Sequence, residues 1–339
     1  MKEALFYKKI EDKKVKCNLC ARGCIIEEGK TGVCGVRKNI DGKLYSLVYG
    51  KVIALAIDPI EKKPLFHFHP GARVLSFGTI GCNFMCEYCQ NWDISQMREE
   101  IVGEEISPER MVEIAINNKV DGITYTYNEP TIFMEYAMDV AKIAKKQKFF
   151  NTFVSNGFMS EESAEAAAKF LDAITIDFKG SGKKDFLIKY AHIPSEEPIF
   201  RTLQIMKEHK VHIEITDLIV PKVGDSIEDA RKLIRWVVEN LGEDVPMHFL
   251  RFYPAYRMLD FPITPTETLE KIIEVAKEEG VKYAYIGNIP GHKYENTYCP
   301  YCGELLIERY GFDILKNKIK NGKCPKCGKK ISGVFDVKH

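Results

Sequence analysis

Residues 74–95 read VLSFGTIGCNFMCEYCQNWDIS. A short β-rich run, 74–77, feeds straight into a loop carrying Cys82, Cys86 and Cys89. Outward from this loop the chain repeats one rhythm. Further β-rich runs fall at 122–125, 149–154, 173–177, 212–218, 248–252 and 283–286. Helical patterns such as 107–118, 131–146, 160–171, 226–240 and 265–279 intervene. This alternation predicts an α/β fold of parallel strands joined by right-handed crossovers. Ser107-Pro108-Glu109 marks one helix start, and Thr264-Pro265-Thr266-Glu267 reads as a capping box. In a (β/α) barrel the chemistry gathers at the C-terminal ends of the strands. The polar residues fall there repeatedly: the cysteine loop, then Tyr127-Asn128-Glu129-Pro130, Ser155-Asn156-Gly157, Asp177-Phe178-Lys179, and His248 with Arg251.

All eleven cysteines belong to three clusters. Cys299, Cys302, Cys324 and Cys327 form two Cys-Pro-x-Cys-Gly turns, the spacing of a tetrahedral four-cysteine zinc ribbon, with a rubredoxin-like iron site as the rival. Cys17, Cys20, Cys24 and Cys34 supply four thiolates from a segment too short for its own core. Their spacing fits zinc, the slight preference, or a second [4Fe–4S] cluster. The middle cluster has only three cysteines. Three thiolates on a four-iron cubane leave one iron open to a non-protein ligand.

The 339-residue chain is 45% hydrophobic and 29% charged, the composition of a globular protein. Its 49 Lys+Arg and 48 Asp+Glu nearly cancel, so charge points to neither nucleic acid nor an anionic membrane as main partner. The N-terminus has no signal-peptide pattern, and the longest apolar run, 52–57, is too short to span a bilayer. These features predict a cytoplasmic protein, where reduced thiols bind metal rather than form disulfides. The expected organisation is an N-terminal four-cysteine segment and β-rich lead-in over 1–70, a barrel over 71–292 and a zinc ribbon over 293–339.

With Tyr88 just before its last cysteine, Cys82-x3-Cys86-x2-Cys89 resembles the signature of the radical S-adenosylmethionine (SAM) superfamily. The resemblance implies a partial TIM-type (β/α)6 radical SAM barrel. It also implies a [4Fe–4S] cluster on the three cysteines, whose open iron chelates SAM and whose electron yields a 5′-deoxyadenosyl radical. Tyr88 would then pack near the adenine. Asn128-Glu129-Pro130 stands where such proteins carry Gly-Gly-Glu-Pro, so Glu129 would accept from the SAM amino group, although both glycines are absent. Asp177-x-Lys179 matches an element of the glycyl-radical-enzyme activases. Lys179 would pair with the SAM carboxylate, Asp177 would orient it or touch substrate, and His248 would lie near the methionine moiety. Ser155 and Asn156 are candidates for the ribose. The segments CNLCARGC, KVIALAIDPIEKKPLFHFHPG, TYTYNEPTIF and RFYPAYRM resemble the pyruvate formate-lyase activating enzyme-like proteins, and within them the AmmeMemoRadiSam system radical SAM enzymes.

The leading expectation is a radical enzyme acting on a protein, as an activase does, with a flavodoxin- or ferredoxin-type protein as reductant. The alternatives are a small molecule or a nucleoside within RNA as substrate, or a non-catalytic iron–sulfur and zinc scaffold. A scaffold explains the cysteines but not Glu129, Lys179 and His248 at strand ends. His67 and His69 share one face if their segment is extended, which suits a hydrogen-bonded pair better than a metal site. Tyr253, Tyr256 and Arg257 are candidates for the mouth of the site.

Overall fold

The computed structural model describes residues 1–98 and 100–335. Its centre is one eight-stranded sheet: β1 (Ala54–Pro59), β2 (Arg73–Gly78), β3 (Gly122–Tyr125), β4 (Phe150–Ser155), β5 (Ala173–Lys179), β6 (His212–Ile219), β7 (Met247–Arg251) and β8 (Ala284–Gly287). Neighbours in space are neighbours in sequence, from β1 at one edge to β8 at the other. Strands β2 to β8 are parallel, and β1 runs antiparallel to β2. The two edge strands do not pair with each other, so the sheet stays open. A (β/α)6 count implies six parallel strands. The seventh is β8, the run 283–286 of the sequence.

The strands are legible because sheets of this kind are covered on both faces. Strand β3 is buried at every position, and β2 at all but its first. The crossovers include α1 (Pro108–Asn117), α2 (Met134–Lys146), α3 (Glu161–Ala168), α4 (Glu197–Glu208), α5 (Ile227–Asn240) and α6 (Thr266–Glu278). On α5 the buried residues Ala230, Leu233, Ile234 and Val237 follow helical spacing, so one stripe faces the sheet. Ser107, Ser160 and Ser226 cap α1, α3 and α5 through hydroxyls that accept backbone N–H groups at 3.1–3.2 Å. Thr264 does not cap α6. Its hydroxyl donates to the Ile219 carbonyl (2.6 Å) and accepts from the Phe252 amide (2.8 Å), and Pro265 takes the cap position.

Two small units flank the sheet. At the N-terminus, short strands including Val15–Cys17 and Arg37–Ile40 frame the first four cysteines, with Cys17 at the end of one strand and Cys20, Cys24 and Cys34 in the segment between them. The unit is pinned to α2 by a buried ion pair. Arg37 forks onto Glu135, with Nη1 donating to Oε1 at 2.9 Å, and the Leu5 amide adds a bond to the same carboxylate at 3.0 Å. At the C-terminus, Thr297–Tyr298, β9 (Leu305–Tyr310) and β10 (Asp313–Asn317) form an antiparallel sheet. Its own core is small: Leu306, Ile307 and Ile331 pack with Phe66, Tyr283 and Tyr285. Residues 336–339 of the expected ribbon lie outside the described residues.

His67 and His69 do not act together. His67 is fully buried, with Nδ1 2.6 Å from the Ser332 carbonyl and Nε2 2.5 Å from the Tyr285 hydroxyl. His69 stacks on Phe150 with ring centroids 5.1 Å apart. A left-handed backbone at His69 (φ +47°) breaks the extended alternation that would align the two rings.

Glu135→Ala would strand the Arg37 charge in the core. The expected loss of stability is about 3–5 kcal/mol, read as a shift in the guanidinium unfolding midpoint at constant slope. A loss below about 1 kcal/mol would contradict the anchoring role of the pair.

Candidate active site

Because β2 to β8 all point the same way, their C-terminal ends share one edge, and a cavity of about 620 Å³ opens there. Cys82, Cys86, Tyr88 and Cys89 line it from the loop after β2. Asn128 and Glu129 enter from the loop after β3, and Ser155 and Asn156 from the end of β4. Asp177 and Lys179 come from β5, and His248 from β7. The structure therefore brings every strand-end residue that the resemblance assigns to the cofactors to one cavity wall.

Cys82 and Cys86 are buried, and burial pushes both thiols up, Cys86 to about 12. With Cys89 they line one cavity wall from a single loop, an arrangement that suits a metal cluster. The Phe84 amide donates to the Cys82 sulfur at 3.4 Å, and Cys89 lies 3.2 Å from the Ser95 hydroxyl. The Tyr88 hydroxyl is buried beside the Cys86 sulfur with no oxygen or nitrogen partner among the described residues. Its ring packs against Phe186 at 5.6 Å.

Glu129 is buried. Its Oε1 accepts from the Thr131 amide (3.0 Å), the Thr131 hydroxyl (2.6 Å) and the Ser155 hydroxyl (2.8 Å), and its Oε2 from the Asn156 amide (2.8 Å). Burial raises the carboxyl while these donors oppose the rise. Oε2, with one bond, keeps room for a further donor from the cavity. Ser155 and Asn156 thus act chiefly by fixing Glu129. The Asn156 side chain also donates to Asn83 at 2.8 Å, next to the cluster loop. Asn128 holds that loop from the other side, donating to the Gly81 carbonyl at 2.8 Å and accepting from the Thr79 amide at 3.2 Å.

The missing glycines have a local explanation. Tyr127 adopts φ +70°, the left-handed conformation a glycine would take without strain. Its ring and hydroxyl hold it there. The hydroxyl donates to Asp58 at 2.7 Å, and the Lys63 ammonium sits 4.8 Å from the ring centroid. Lys62 (2.9 Å) and Lys63 (2.6 Å) complete a cluster on Asp58. Burial favours the protonated form of Asp58, but these partners hold it well below the usual carboxylate range. Burial also pushes Lys63 down to about 8, against the pull of Asp58.

Lys179 pairs with Asp177, whose other oxygen accepts from the Thr216 hydroxyl at 2.8 Å. Burial alone would lower Lys179. Asp177 and the Cys86 sulfur outweigh it, so the ammonium form is favoured at the cavity wall. His248 lies 2.7 Å through Nε2 from Glu214 and stacks on Tyr285 at 5.0 Å. Glu214 also accepts the Phe66 and His67 amides.

Sequence reading missed part of the wall. Glu61, Lys62, Lys63 and Phe66 close the cavity from the lead-in, and Glu295, Gly311 and Phe312 from the C-terminal unit. The first four fall within the family-like segment 51–71, which carried no hint of a role at the site, and no motif marks the last three; only the tertiary fold brings both sets there. Tyr253 lines the mouth, and its hydroxyl donates to the Asn288 carbonyl at 3.1 Å. Arg251 is structural, donating to Thr264 and Thr266. Tyr256 stacks on exposed Trp92 and lies under Arg257.

The four C-terminal cysteine sulfurs lie within 4.8 Å of one another, with Cys299–Cys327 at 3.6 Å and Cys302–Cys324 at 3.7 Å. Thiolates bound about 2.3 Å from a single tetrahedral ion stand about 3.8 Å apart. One ion of that size fits. Among the described residues no helix is long and apolar enough to cross a membrane.

The radical SAM superfamily profile matches residues 77–237. A Methanocaldococcus jannaschii protein, "Uncharacterized protein MJ0808", is 48% identical over 99% of this chain and 100% of its own length. A second protein of that organism, MJ1632, whose name assigns it provisionally as a glycyl-radical enzyme activating enzyme, is 24% identical over 60% of this chain and 76% of its own. The crystal structure of Streptococcus suis SuiB bound to S-adenosylmethionine shares the fold at a TM-score of 0.51 and 11% identity, covering 72% of this chain and 58% of that one. With the profile spanning the cysteine loop and the strand ends through Lys179, the chain belongs to the radical SAM superfamily.

Proposed function

We propose that this protein generates a 5′-deoxyadenosyl radical in the strand-end cavity and uses it to abstract hydrogen from a polypeptide. The observation that carries this reading is the convergence of three buried or half-buried cysteines, an acceptor (Glu129) and a cation (Lys179) on one cavity of about 620 Å³. Bound there, a [4Fe–4S] cluster and SAM supply reductive cleavage of a carbon–sulfur bond and the radical that follows. Everything else falls to the protein. Cys82, Cys86 and Cys89 hold the cluster. Lys179, steadied by Asp177, receives the SAM carboxylate, and Glu129 accepts from its amino group. A desolvated amino-acid moiety needs such partners, since an unpaired charge in a closed site is costly. Tyr88 presents a buried aromatic face and an unused hydroxyl to the rest of the cofactor. His248 is held in one orientation by Glu214.

A polypeptide substrate is supported by the Asp177-x-Lys179 element and by the mouth. Tyr253 (37% exposed) and Phe312 (48%) rim it as exposed aromatic surface from two different units. Exposed apolar groups around an opening suit a docked chain better than a small polar metabolite. A ferredoxin- or flavodoxin-type protein is the proposed electron donor. Zinc is the proposed ion at Cys299, Cys302, Cys324 and Cys327, where it would hold together a unit with little core of its own.

Two measurements check this reading. Lys179→Ala is expected to weaken SAM binding at least tenfold, about 1.4 kcal/mol, by anaerobic equilibrium dialysis, with the cluster absorbance retained. Unchanged affinity would remove Lys179 from the site. For the substrate, turnover in a lysate grown on uniformly deuterated amino acids and stripped of small molecules should place deuterium in 5′-deoxyadenosine. Deuterium arriving only from the small-molecule fraction would rule out a polypeptide donor.

A further inference from the structure

We propose that Cys17, Cys20, Cys24 and Cys34 hold a second [4Fe–4S] cluster, closed by four thiolates, against the back of the Cys82–Cys89 loop. Geometry separates this set from the C-terminal one. The C-terminal sulfurs already stand at the spacing of a single tetrahedral ion. Among the described residues they are the only group drawn so close, and no three of the N-terminal sulfurs meet that limit. The four N-terminal cysteines nevertheless line one small pocket together. Thiolates that bind four separate irons must stand farther apart than thiolates sharing one ion. The wider arrangement fits a cubane.

A second observation points to the same occupant. Arg37 and Asn83 also line this pocket, and both are almost wholly buried. The Arg37 Nε and Asn83 Nδ2 groups have no hydrogen-bond partner among the described residues, although the remaining polar atoms of both side chains are engaged. Buried donors are ordinarily satisfied. Bridging sulfides and cysteine sulfurs of a cluster accept such N–H groups, and these bonds tune its potential.

The site is built into the wall of the first one. Arg22, between Cys20 and Cys24, donates to the Asn83 carbonyl (2.5 Å) and the His192 carbonyl (2.6 Å). Arg98 ties the Val33 carbonyl to those of Cys82 (3.4 Å) and Phe84 (3.2 Å). At Gly81 a Cβ would come within 2.6 Å of the Cys34 carbonyl oxygen, so only glycine allows the two cysteine loops to touch. Asn83 itself follows the first ligand of one cluster and lines the pocket of the other.

The site does not depend on the radical reading, and the test keeps the two apart. The full chain is purified anaerobically, passed through chelator-containing buffer, and assayed for iron, sulfide and zinc. In the C82A/C86A/C89A variant the first cluster is removed by design. About four irons and four sulfides per chain should remain, with the low-temperature electron paramagnetic resonance signal of a reduced [4Fe–4S] cluster. In the reverse variant, C20A/C24A, iron should fall by about four per chain relative to wild type with zinc unchanged. The proposal is overturned if the first variant, folded by circular dichroism, keeps no stoichiometric iron. It is equally overturned if the second variant loses zinc instead of iron.

Discussion

Parallel pairing of consecutive strands is the constraint on which the molecule depends. Once β2 to β8 run the same way and in sequence order, every loop after a strand must emerge on one edge. Residues up to 166 positions apart, Cys82 and His248, are thereby delivered to one cavity without any of them having to find the others. Each contributes from a strand end fixed by the hydrogen-bond ladder. The site is therefore set before any cofactor arrives, and the side chains need only the short local supports seen around Glu129 and Lys179.

The two cysteine-rich units matter because of where they dock. The C-terminal unit buries Arg309 over Phe66, with its guanidinium 4.2 Å from the ring centroid, and donates from it to the Phe66 carbonyl. This fixes the lead-in that carries Lys63 and Phe66 into the cavity wall, and brings Phe312 to its rim. The N-terminal unit is locked through Arg37 and Glu135, and it packs directly behind the cluster loop. The N-terminal unit shares the main core through Phe6, Val15, Ile26 and Val36, whereas the C-terminal unit has only a small core of its own, so a metal proposed at its four cysteines would matter more to its order.

Much of this was legible in the sequence. Strands buried on both faces show as unbroken apolar runs, and β3 falls at 122–125 as read. The cavity-lining residues from the cysteine loop through Lys179 were readable because they sit at or just beyond the ends of those runs, whereas His248 stands near the start of β7. What stayed hidden depends on contacts between distant segments. The Arg37–Glu135 pair joins residues 98 apart; Arg37 closes the family-like run TGVCGVR, but nothing local marks Glu135 as its partner. Thr264 has the local signature of a cap, but β6 and the segment after β7 claim its hydroxyl first. Tyr127 offers no sign that it will adopt a glycine-like backbone, since that conformation is held by Asp58 and Lys63 from the lead-in. The separation of the N-terminal sulfurs is likewise a product of folding, which spacing alone left open between one ion and four.

On the proposed reading, the open iron of a three-cysteine cluster turns this cavity into a source of radicals. The decisive experiment incubates the anaerobic, iron-loaded protein with reductant and SAM and quantifies 5′-deoxyadenosine, beside the C82A/C86A/C89A variant. Deoxyadenosine is expected from the wild type and none from the variant. A wild-type protein with an intact cluster that neither binds SAM nor forms the product would contradict it, and would leave the cysteines as parts of a scaffold.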